Sequence, residues 1–370
     1  MKICRVSQTS PSESNNGKGL HCYHVSNLME YPTLVLTKKY KDEKYWKYKK
    51  HVNLKKIDYY QFPFPKENKI SLKYILALLT YITGQLTFFL KSIKSLVRFK
   101  PDIVHLQSPH AILVGIFCKI AFKSKLVITF HGSDLRRIKK NKIFLSMLGY
   151  SDRLLYVDKN MYKELINHFP LESLTHTPSG VDIDFYTPLN LPRKKQIITI
   201  GNLRWQKDHQ TLIKAFNMFL KRYPDYELLI VGEGDQRNIL IDLSKRLSIS
   251  DKVVLTGRKS NEQILKELNN SKFFVLSSVT EGMPKALIEA LATNTPVVVT
   301  NVGSCKIVSK NVGYCVEPSD PEELSLAMIK MVENEKKYKA FEFVARKSVK
   351  NFSWNSLAEK INNTFLDLMS

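Results

Sequence analysis

Short apolar runs alternate with segments of helical periodicity along nearly the whole chain. Such runs predict strands, and the segments between them, with apolar residues every three or four positions, predict amphipathic helices. This alternation indicates parallel sheets with helices on both faces. The predicted strands form two series of five: 2–7, 33–37, 102–107, 125–130 and 153–157, then 196–201, 226–231, 252–256, 272–276 and 296–300.

Two series of strands predict an α/β chain with two doubly wound, Rossmann-like domains. With 370 residues, the chain is long enough for two separate cores. A stretch rich in proline and polar residues at 182–195 separates the two series. We therefore expect an N-terminal domain at 1–183 and a C-terminal domain at 184–352, with the ligand in the cleft between them.

The charge of the chain is strongly positive and unevenly distributed. The net charge is +23, and residues 1–180 carry 30 Lys and Arg against 12 Asp and Glu. Such a basic half attracts nucleic acid, a phosphorylated substrate or an anionic membrane, and charge alone does not choose among them. Five scattered cysteines and the absence of a signal-peptide pattern predict a cytoplasmic protein with reduced thiols.

Residues 74–90 contain no charged side chain, and lysines and an arginine flank them. Seventeen residues is the lower limit for a membrane span, and this stretch includes three threonines and a glutamine. We expect a buried helix of the first domain, or a helix lying in a membrane interface, in preference to a span.

The stretch 281–300 places two carboxylates around a predicted helix start. Glu281 and Glu289 are eight positions apart, and Gly282, Met283 and Pro284 lie between them. Proline is tolerated in a first helical turn, and the N–H groups of that turn suit a phosphate. The stretch follows a strand, and open α/β sheets bind ligands at the carboxyl ends of strands. The alternative is a solvated pair of acids on an ordinary amphipathic helix.

The first strand of the second series ends in a basic loop. Gly201 permits a tight turn, and Arg204 and Lys207 follow in the loop before a helix. Cations are disfavoured at a helix start, but a diphosphate would neutralise them and accept backbone N–H bonds. The alternative is a solvated loop in a lysine-rich chain.

Two features of the first domain are candidates for ligand contact. His131 ends a strand in the stretch TFHGSD, where it would donate a hydrogen bond, act as an acid or base, or serve only the structure. Gly17, Lys18 and Gly19 belong to a loop after the first strand. This loop would approach a phosphate through backbone N–H groups, or it is simply a connecting loop.

Together these segments resemble the retaining glycosyltransferases of family 4, the glycosyl transferases group 1. The matching stretches are HGSD at 131–134, PSGVDIDFYTP at 178–188, GNLRWQKD at 201–208, IVGEGDQR at 230–237 and SSVTEGMPKALIEALATNTPVVVTNVG at 277–303. The resemblance is close over the second domain and loose over the first. It implies the GT-B fold, in which two Rossmann-like domains face a central cleft and the last helix, here 353–370, packs back onto the first domain.

The resemblance also implies roles for the residues of the second domain. Glu289 matches the glutamate that binds the ribose hydroxyls of the donor nucleotide. Glu281 matches the glutamate that contacts the donor sugar near the reacting carbon. Arg204 and Lys207 match the cations that grip the diphosphate, with Gly201 and the 282–284 turn as further donor contacts.

In the first domain, His131 matches the histidine that lines the donor sugar site, and 17–19 matches the glycine loop near the diphosphate and acceptor. The chain also departs from the family pattern. At 303–306 it has Gly-Ser-Cys-Lys, one residue shorter than the common form and with Lys306 in an acidic position. Ser179 replaces the common asparagine. The motif match therefore leaves the geometry of the 303–306 loop undetermined.

The implied activity is transfer of a sugar from a nucleotide diphosphate sugar, UDP- or GDP-linked, to a hydroxyl with retained anomeric configuration. The resemblance implies a saccharide or lipid-linked saccharide acceptor in bacterial surface polysaccharide synthesis. We expect no metal, because the D-x-D pattern at 182–184 falls in the interdomain stretch, and no cofactor, because the nucleotide sugar is a substrate. The expected location is the cytoplasm, at the inner face of the plasma membrane, with anionic lipid as a partner. A lysine-rich stretch supports this location: Lys38, Lys39, Lys41, Lys44, Lys47, Lys49 and Lys50.

Two other functions stay open. One is a nucleotide-sugar epimerase that hydrolyses its donor on the same fold, against which the glutamate pair and the basic loop argue. The other is a nucleic-acid-binding protein, which only the charge suggests, because the chain has no basic stripe with interleaved aromatic residues. The motifs leave the donor base, the acceptor and the linkage undetermined.

Overall fold

The structure is a computed structural model that describes residues 1–7, 20–39, 49–59, 72–131 and 142–370. It divides into two compact units. The first contains Met1–Pro178 together with Leu357–Ser370, and the second is Ser179–Ser356. The C-terminal segment thus groups with the N-terminal part of the chain.

The first unit contains a seven-stranded parallel sheet in the order β3-β2-β1-β4-β5-β6-β7. Its strands are β1 Ile3–Ser7, β2 Thr33–Lys38, β3 Val52–Ile57, β4 Ile103–Leu106, β5 Lys125–Phe130, β6 Arg153–Tyr156 and β7 Leu174–His176. Its helices are α1 Leu20–Leu28, α2 Leu72–Phe99, α3 Ile112–Phe122, α4 Lys142–Leu148 and α5 Lys159–Leu165.

The second unit contains a six-stranded parallel sheet in the order β10-β9-β8-β11-β12-β13. Its strands are β8 Lys194–Ile200, β9 Glu227–Val231, β10 Val253–Gly257, β11 Ser271–Leu276, β12 Val297–Thr300 and β13 Gly313–Val316. The helices that follow β7 in the chain are α6 His209–Leu220, α7 Arg237–Arg246, α8 Asn261–Asn270, α9 Lys285–Ala292, α10 Cys305–Val308, α11 Pro321–Glu333, α12 Glu335–Ser348 and α13 Trp354–Met369.

The central strands are apolar on both sides because helices cover both faces of each sheet. In β11, Phe273 and Val275 join one core cluster, while Phe274 and Leu276 join the other. Successive side chains of a strand point to opposite faces, so a run of four apolar residues supplies two cores at once. The predicted fold class, an α/β chain with two doubly wound parallel sheets, is confirmed.

The prediction of five strands in each series was wrong for both sheets, because three strands were missed. These are β3, β7 and β13, and each lies at an edge of its sheet. An edge strand has a neighbour on one side only and exposes more of its side chains. In β3, four of the six residues are only partly buried or exposed, so the continuous apolar run that marks a central strand is absent.

The uncharged stretch 74–90 lies within the 28-residue helix α2. One face of α2 packs into the first unit through Tyr81, Phe88 and Leu96, while the opposite face is exposed. Among the described residues, one helical segment, Ile75–Phe99, has the length and the apolar composition needed to cross a membrane. Of the two alternatives expected for this stretch, a buried helix holds for one face of α2 only, and a helix lying in a membrane interface stays a prediction.

Candidate functional site

The strand order of the second sheet changes direction between the neighbouring strands β8 and β11. Strands β9 and β10 extend the sheet on one side of this point, and β12 and β13 extend it on the other. The loops that leave the carboxyl ends of β8 and β11 begin at Gly201 and Ser277. In open α/β sheets, ligands bind at this kind of switch point.

The loop after β8 is held by close backbone contacts that only glycine allows. A Cβ on Gly232 would lie 1.9 Å from the carbonyl oxygen of Gly201. A Cβ on Gly234 would lie 2.2 Å from the carbonyl oxygen of Leu203. The G-x-G pattern after β9 therefore serves to seat the 201–203 loop.

The loops after β8 and β11 are tied to each other by hydrogen bonds. The Ser277 hydroxyl donates to the carbonyl oxygen of Lys207 at 2.9 Å. The N–H of Val279 donates to the carbonyl oxygen of Gln206, also at 2.9 Å. These bonds fix the position of Lys207 relative to the loop that carries the first glutamate.

Lys207 and Glu281 form an ion pair at this junction. The Lys207 Nζ lies 2.5 Å from Oε1 of Glu281, and the Ser278 hydroxyl donates to the same oxygen at 2.7 Å. The side chains of Lys207 and Glu281 are 24% and 11% exposed. Because the pair is largely shielded from water, its charges interact more strongly than a surface pair would. The arrangement presents a lysine and a carboxylate in fixed positions at the switch point.

The unusual 303–306 stretch closes against the Glu281 loop. Gly303 has a φ of +53°, and a Cβ there would lie 2.4 Å from the Glu281 carbonyl oxygen. The N–H of Ser304 donates to the carbonyl oxygen of Gly282 at 3.0 Å. Lys306 is exposed. The loop therefore supports the turn at 281–282 through its backbone.

Helix α9 begins at Lys285, directly after the 282–284 turn. Pro284 stands just before the helix with φ −74° and ψ 111°, so its predicted place inside the first turn was wrong by one position. No side chain caps this helix start. Pro284 fixes the backbone of the turn but has no N–H group. The backbone N–H groups available to a ligand at this helix start are therefore those of its neighbours.

Glu289 lies one turn into α9 and is partly buried. Burial raises the pKa of its carboxyl group to about 7, and the nearby Lys285 partly offsets this rise. Burial also lowers the pKa of the Lys285 ammonium, which lies 5.8 Å from the ring centre of Trp354. The charge of Glu289 therefore responds to small changes in its surroundings near neutral pH.

Arg204 and Lys207 have different surroundings. The side chain of Lys207 lies along Gly201 and reaches Glu281. Arg204 is exposed and lines a cavity of about 430 Å³ together with Trp205 and His209. The structure thus brings Lys207 to the carboxylate and places Arg204 in a neighbouring cavity.

In the first unit, His131 follows the carboxyl end of β5. Its ring meets the His21 ring edge to face, with centroids 5.7 Å apart. His21 meets His105 in the same manner at 6.2 Å. His131 therefore belongs to a group of three histidines at this end of the sheet.

His105 anchors this group inside the first unit. Its Nδ1 lies 2.9 Å from an Arg5 guanidinium nitrogen, and its Nε2 lies 2.7 Å from the Thr129 hydroxyl. Burial, and then the charges of Arg5, His21 and His131, hold the pKa of His105 well below its ordinary value. This cluster was not predicted from the sequence. Its signal was an arginine and a histidine inside otherwise apolar strands.

Several predicted contacts lie outside the described residues. Gly17, Lys18 and Gly19 are among them, as are Gly132 and Asp134 of the HGSD stretch. Three residues of the lysine-rich stretch lie outside as well: Lys41, Lys44 and Lys47.

The acidic D-x-D pattern at 182–184 has a local structural role. The Asp182 carboxylate accepts a hydrogen bond from the N–H of Phe185 at 3.0 Å, which closes a turn. Within the described part of the chain, no group of three or more His, Cys, Asp and Glu side chains is placed to hold a metal ion.

Two family models match consecutive parts of the chain. The model of glycosyl transferases group 1 matches residues 186–348. The model of glycosyltransferase family 4 matches residues 57–185. The junction between the two matches falls near the boundary between the structural units.

Named relatives and a solved structure agree with these matches. The chain is 27% identical over 284 residues to a GDP-mannose-dependent monoacylated alpha-(1-6)-phosphatidylinositol monomannoside mannosyltransferase of Corynebacterium glutamicum, covering 69% of this chain and 73% of the relative. It is 25% identical over 304 residues to a UDP-Gal:alpha-D-GlcNAc-diphosphoundecaprenol alpha-1,3-galactosyltransferase of Escherichia coli, covering 75% and 78%. Sucrose-phosphate synthase from Thermosynechococcus elongatus has a similar fold, with a TM-score of 0.77, 18% identity and coverage of 100% and 99%.

Proposed function

Since the chain belongs to the family 4 glycosyltransferases, the glycosyl transferases group 1, we propose that it is a retaining enzyme that uses a nucleoside diphosphate sugar. The acceptor is a hydroxyl of a saccharide or lipid-linked saccharide. The observation that carries this proposal is the Lys207–Glu281 pair at the switch point of the second sheet, directly before the start of α9.

The reaction breaks the bond between the anomeric carbon and the diphosphate oxygen and forms a bond from that carbon to the acceptor oxygen. The acceptor loses its proton to the leaving phosphate on the same face of the sugar, so the configuration is retained. The nucleoside diphosphate leaves with increased negative charge. Stabilising this charge is the main task of the site.

Lys207 is the proposed partner of the diphosphate. Its ammonium is fixed by Glu281 and by the bonds that lock the two loops, so little reorganisation is needed when the leaving group develops charge. The N–H groups at the start of α9 add a positive partial charge, and Gly282 and Met283 lie in the turn before it. In this proposal no metal ion and no cofactor are required.

Glu281 and Glu289 have separate proposed roles. Glu281 contacts the donor sugar near the reacting carbon, and its pairing with Lys207 supports a shared position for both groups beside the sugar–phosphate bond. Glu289 accepts hydrogen bonds from the ribose hydroxyls. Two ribose hydroxyls that donate hydrogen bonds to one carboxylate stabilise its ionised form. Nucleotide binding would therefore lower the raised pKa of Glu289.

The remaining predicted contact residues shape the loops of the site or add weaker contacts to the substrates. Gly201 lets the 201–207 loop turn close to the diphosphate, and Pro284 shapes the turn before α9. Arg204 is a second cation at the rim, with a weaker effect because exposed charges are screened. His131 and the 17–19 loop remain proposed contacts of the donor and acceptor, on the strength of the family resemblance.

The proposed donor is a UDP- or GDP-sugar, and the proposed setting is synthesis of a bacterial surface polysaccharide at the inner face of the plasma membrane. The two relatives support this range, since one is named for a UDP-linked and the other for a GDP-linked donor, and both are named for lipid-linked acceptors. The strongly basic first half of the chain suits an anionic membrane surface.

The first experiment is a thermal unfolding screen of the purified chain with UDP, GDP, ADP and CMP in the presence of EDTA. Selective stabilisation by one nucleoside diphosphate would support the site and identify the donor base. The Glu289→Ala variant is the control, because it removes the proposed ribose contact. Stabilisation that is equal in this variant would contradict the assigned site.

Turnover is then measured with the matching nucleotide sugar, with and without a lipid-linked saccharide. Transfer that depends on the acceptor supports the proposal. Consumption of the donor without any acceptor product would contradict transferase activity. Product of inverted configuration, determined by NMR of the anomeric proton, would contradict the retaining mechanism.

A further inference from the structure

Helix α2 exposes a row of aliphatic side chains along one face. The members of this apolar stripe recur every three, four or seven positions and are between 42% and 62% exposed: Ile75, Leu79, Ile82, Leu86, Leu90 and Val97. Residues at these spacings share one face of an α-helix. Single exposed leucines are common on protein surfaces, but a contiguous aliphatic row marks an interaction surface.

The opposite face of α2 is fixed in the first unit and contains polar groups. The buried residues there are Tyr81, Gln85, Phe88, Ser92 and Leu96. The Tyr81 hydroxyl lies 2.6 Å from Nδ1 of His110, and the Ser92 hydroxyl donates to the carbonyl oxygen of Phe88 at 2.7 Å.

A usual surface helix has one apolar side, which faces the core, and a polar outer side. In α2 the buried face and the exposed stripe are both apolar, with Gln85 and Ser92 on the buried face and Thr83 exposed beside the stripe. Because the buried face packs against α3 and β3, α2 is part of the first unit and does not cross a bilayer as a free helix. The outward stripe needs a partner that accepts aliphatic side chains.

Basic side chains accompany the stripe. Lys91, Lys94 and Arg98 are exposed near the C-terminal end of α2, on one side of the stripe. The Lys91 ammonium donates to the carbonyl oxygen of Asp58 at 2.6 Å, which holds its charge close to the helix. An aliphatic face bordered by cations is typical of a helix that lies in the plane of an anionic membrane.

We propose that the apolar stripe of α2 inserts into the surface of an anionic membrane, with Lys94 and Arg98 at the level of the lipid headgroups. The net charge of +18 in residues 1–180 favours this partner over a second copy of the chain, since two such halves would repel each other. The proposal deepens the proposed function by assigning the membrane contact to one helix face. Docking itself needs neither nucleotide nor acceptor.

The test is co-sedimentation of the full chain with vesicles of phosphatidylcholine, with and without phosphatidylglycerol. The stripe variant is Leu79→Asp with Leu86→Asp. The control is Phe343→Asp, which places one aspartate at an 85% exposed aromatic residue on α12 of the second unit. A second stripe variant, Leu79→Ala with Leu86→Ala, keeps helix-forming residues in case the aspartates disturb folding.

We expect the wild type and the Phe343→Asp control to bind vesicles that contain phosphatidylglycerol. The aspartate variant should bind at least about tenfold more weakly, because it loses two aliphatic side chains and gains charges that the lipid repels. The alanine variant should bind more weakly than the wild type with an unchanged unfolding temperature. Changing Lys94 and Arg98 to glutamine should reduce binding to the anionic vesicles only.

Three results would overturn the proposal. The first is equal vesicle binding by the wild type and both stripe variants. The second is no vesicle binding by the wild type. The third is a dimer in light scattering that the stripe variants convert to monomer without any vesicle binding by the wild type, which would identify a second copy as the partner. Nucleotide stabilisation is measured on the same proteins, so a failure of the donor site is recognised separately from a failure of docking.

Discussion

Lys207 Nζ lies 2.5 Å from Oε1 of Glu281, although 74 positions separate the two residues in the chain. The pair forms because the strands before the two loops, β8 and β11, are neighbours in the sheet. A hydrogen bond from Ser277 to the backbone of Lys207 fixes the distance between the loops. In the proposed function, Lys207 stabilises the charge of the leaving diphosphate and Glu281 contacts the donor sugar.

Replacing Lys207 by alanine should reduce turnover on the order of 10²-fold, by analogy with the loss of one oxyanion donor. It should also lower the free energy of unfolding by about 1–3 kcal/mol, because the shielded Glu281 carboxylate loses its cation. Arg204→Ala should reduce turnover by only about tenfold, since its exposed guanidinium is screened.

The measurements for these variants are steady-state kinetics and chemical denaturation. Lys195→Ala is the matched control, because Lys195 pairs with Asp225 at 3.0 Å with both side chains well exposed. That change should alter stability by less than about 1 kcal/mol and leave turnover unchanged. Equal loss of turnover in Lys207→Ala and Lys195→Ala would contradict the role of the buried pair.

Replacing Glu289 by glutamine should stabilise the empty protein at pH 8 and weaken nucleotide binding. Because the folded-state pKa is raised from 4.5 to about 7, ionisation is costly in the folded protein, and stability falls as pH rises from 4.5 through 7. Glutamine removes this cost, with a gain of about 1–3 kcal/mol at pH 8.

Thermal unfolding and calorimetric titration with the selected nucleotide, at pH 6 and pH 8, test this prediction. The wild type should bind the nucleotide more tightly at pH 8, where the carboxylate is ionised and accepts the ribose hydroxyls. The variant should show no such difference. A variant that binds as tightly as the wild type at pH 8 would remove Glu289 from the ribose site.

Replacing Gly303 by alanine should displace the turn that carries Glu281. The residue has a φ of +53°, and the new Cβ would lie 2.4 Å from a backbone oxygen, so the backbone must move. We expect a loss of about 1–3 kcal/mol in stability together with weaker nucleotide binding. Gly149→Ala is the control, since its Cβ would meet its nearest neighbour at 3.1 Å in the first unit. An unchanged nucleotide affinity in Gly303→Ala would show that the 303–306 loop does not support the site.

Buried His209 should make the second unit sensitive to acid. Burial, and then the charge of Lys207, lowers the pKa of His209 from 6.5 to about 4. A histidine with a lowered folded-state pKa stabilises the fold above 6.5, and this contribution is lost as pH falls from 6.5 towards 4. We expect a decrease of about 3 kcal/mol over this range.

The measurement is urea denaturation of the wild type and His209→Gln at several pH values between 4 and 8. The difference between the two proteins should become smaller as the pH falls, because glutamine does not titrate. A pH-independent difference would mean that His209 does not contribute through protonation. Comparing the two proteins removes the contribution of His105, which is present in both.

The central strands were predictable because helices cover both faces of each sheet. Most helices were predictable from the spacing of their own apolar residues. This burial requires continuous apolar runs, such as the one in β11, and such runs are visible in a sequence. The edge strands β3, β7 and β13 were not predictable from that signal, since their side chains are partly exposed. Their place in the sheet depends on pairing with a neighbour, which is a long-range interaction.

The sequence by itself determined the fold class, the second-domain loops that carry Lys207, Glu281 and Glu289, and the family. These follow from local patterns and from the order of short motifs. Tertiary structure alone decided that Lys207, and not Arg204, meets Glu281, and that the two cations lie in different surroundings. It also decided which face of α2 is buried, because between 74 and 90 this helix has apolar residues on both faces and no charged residue that marks the solvent side. Such choices depend on packing between residues far apart in the chain, which a local pattern does not contain.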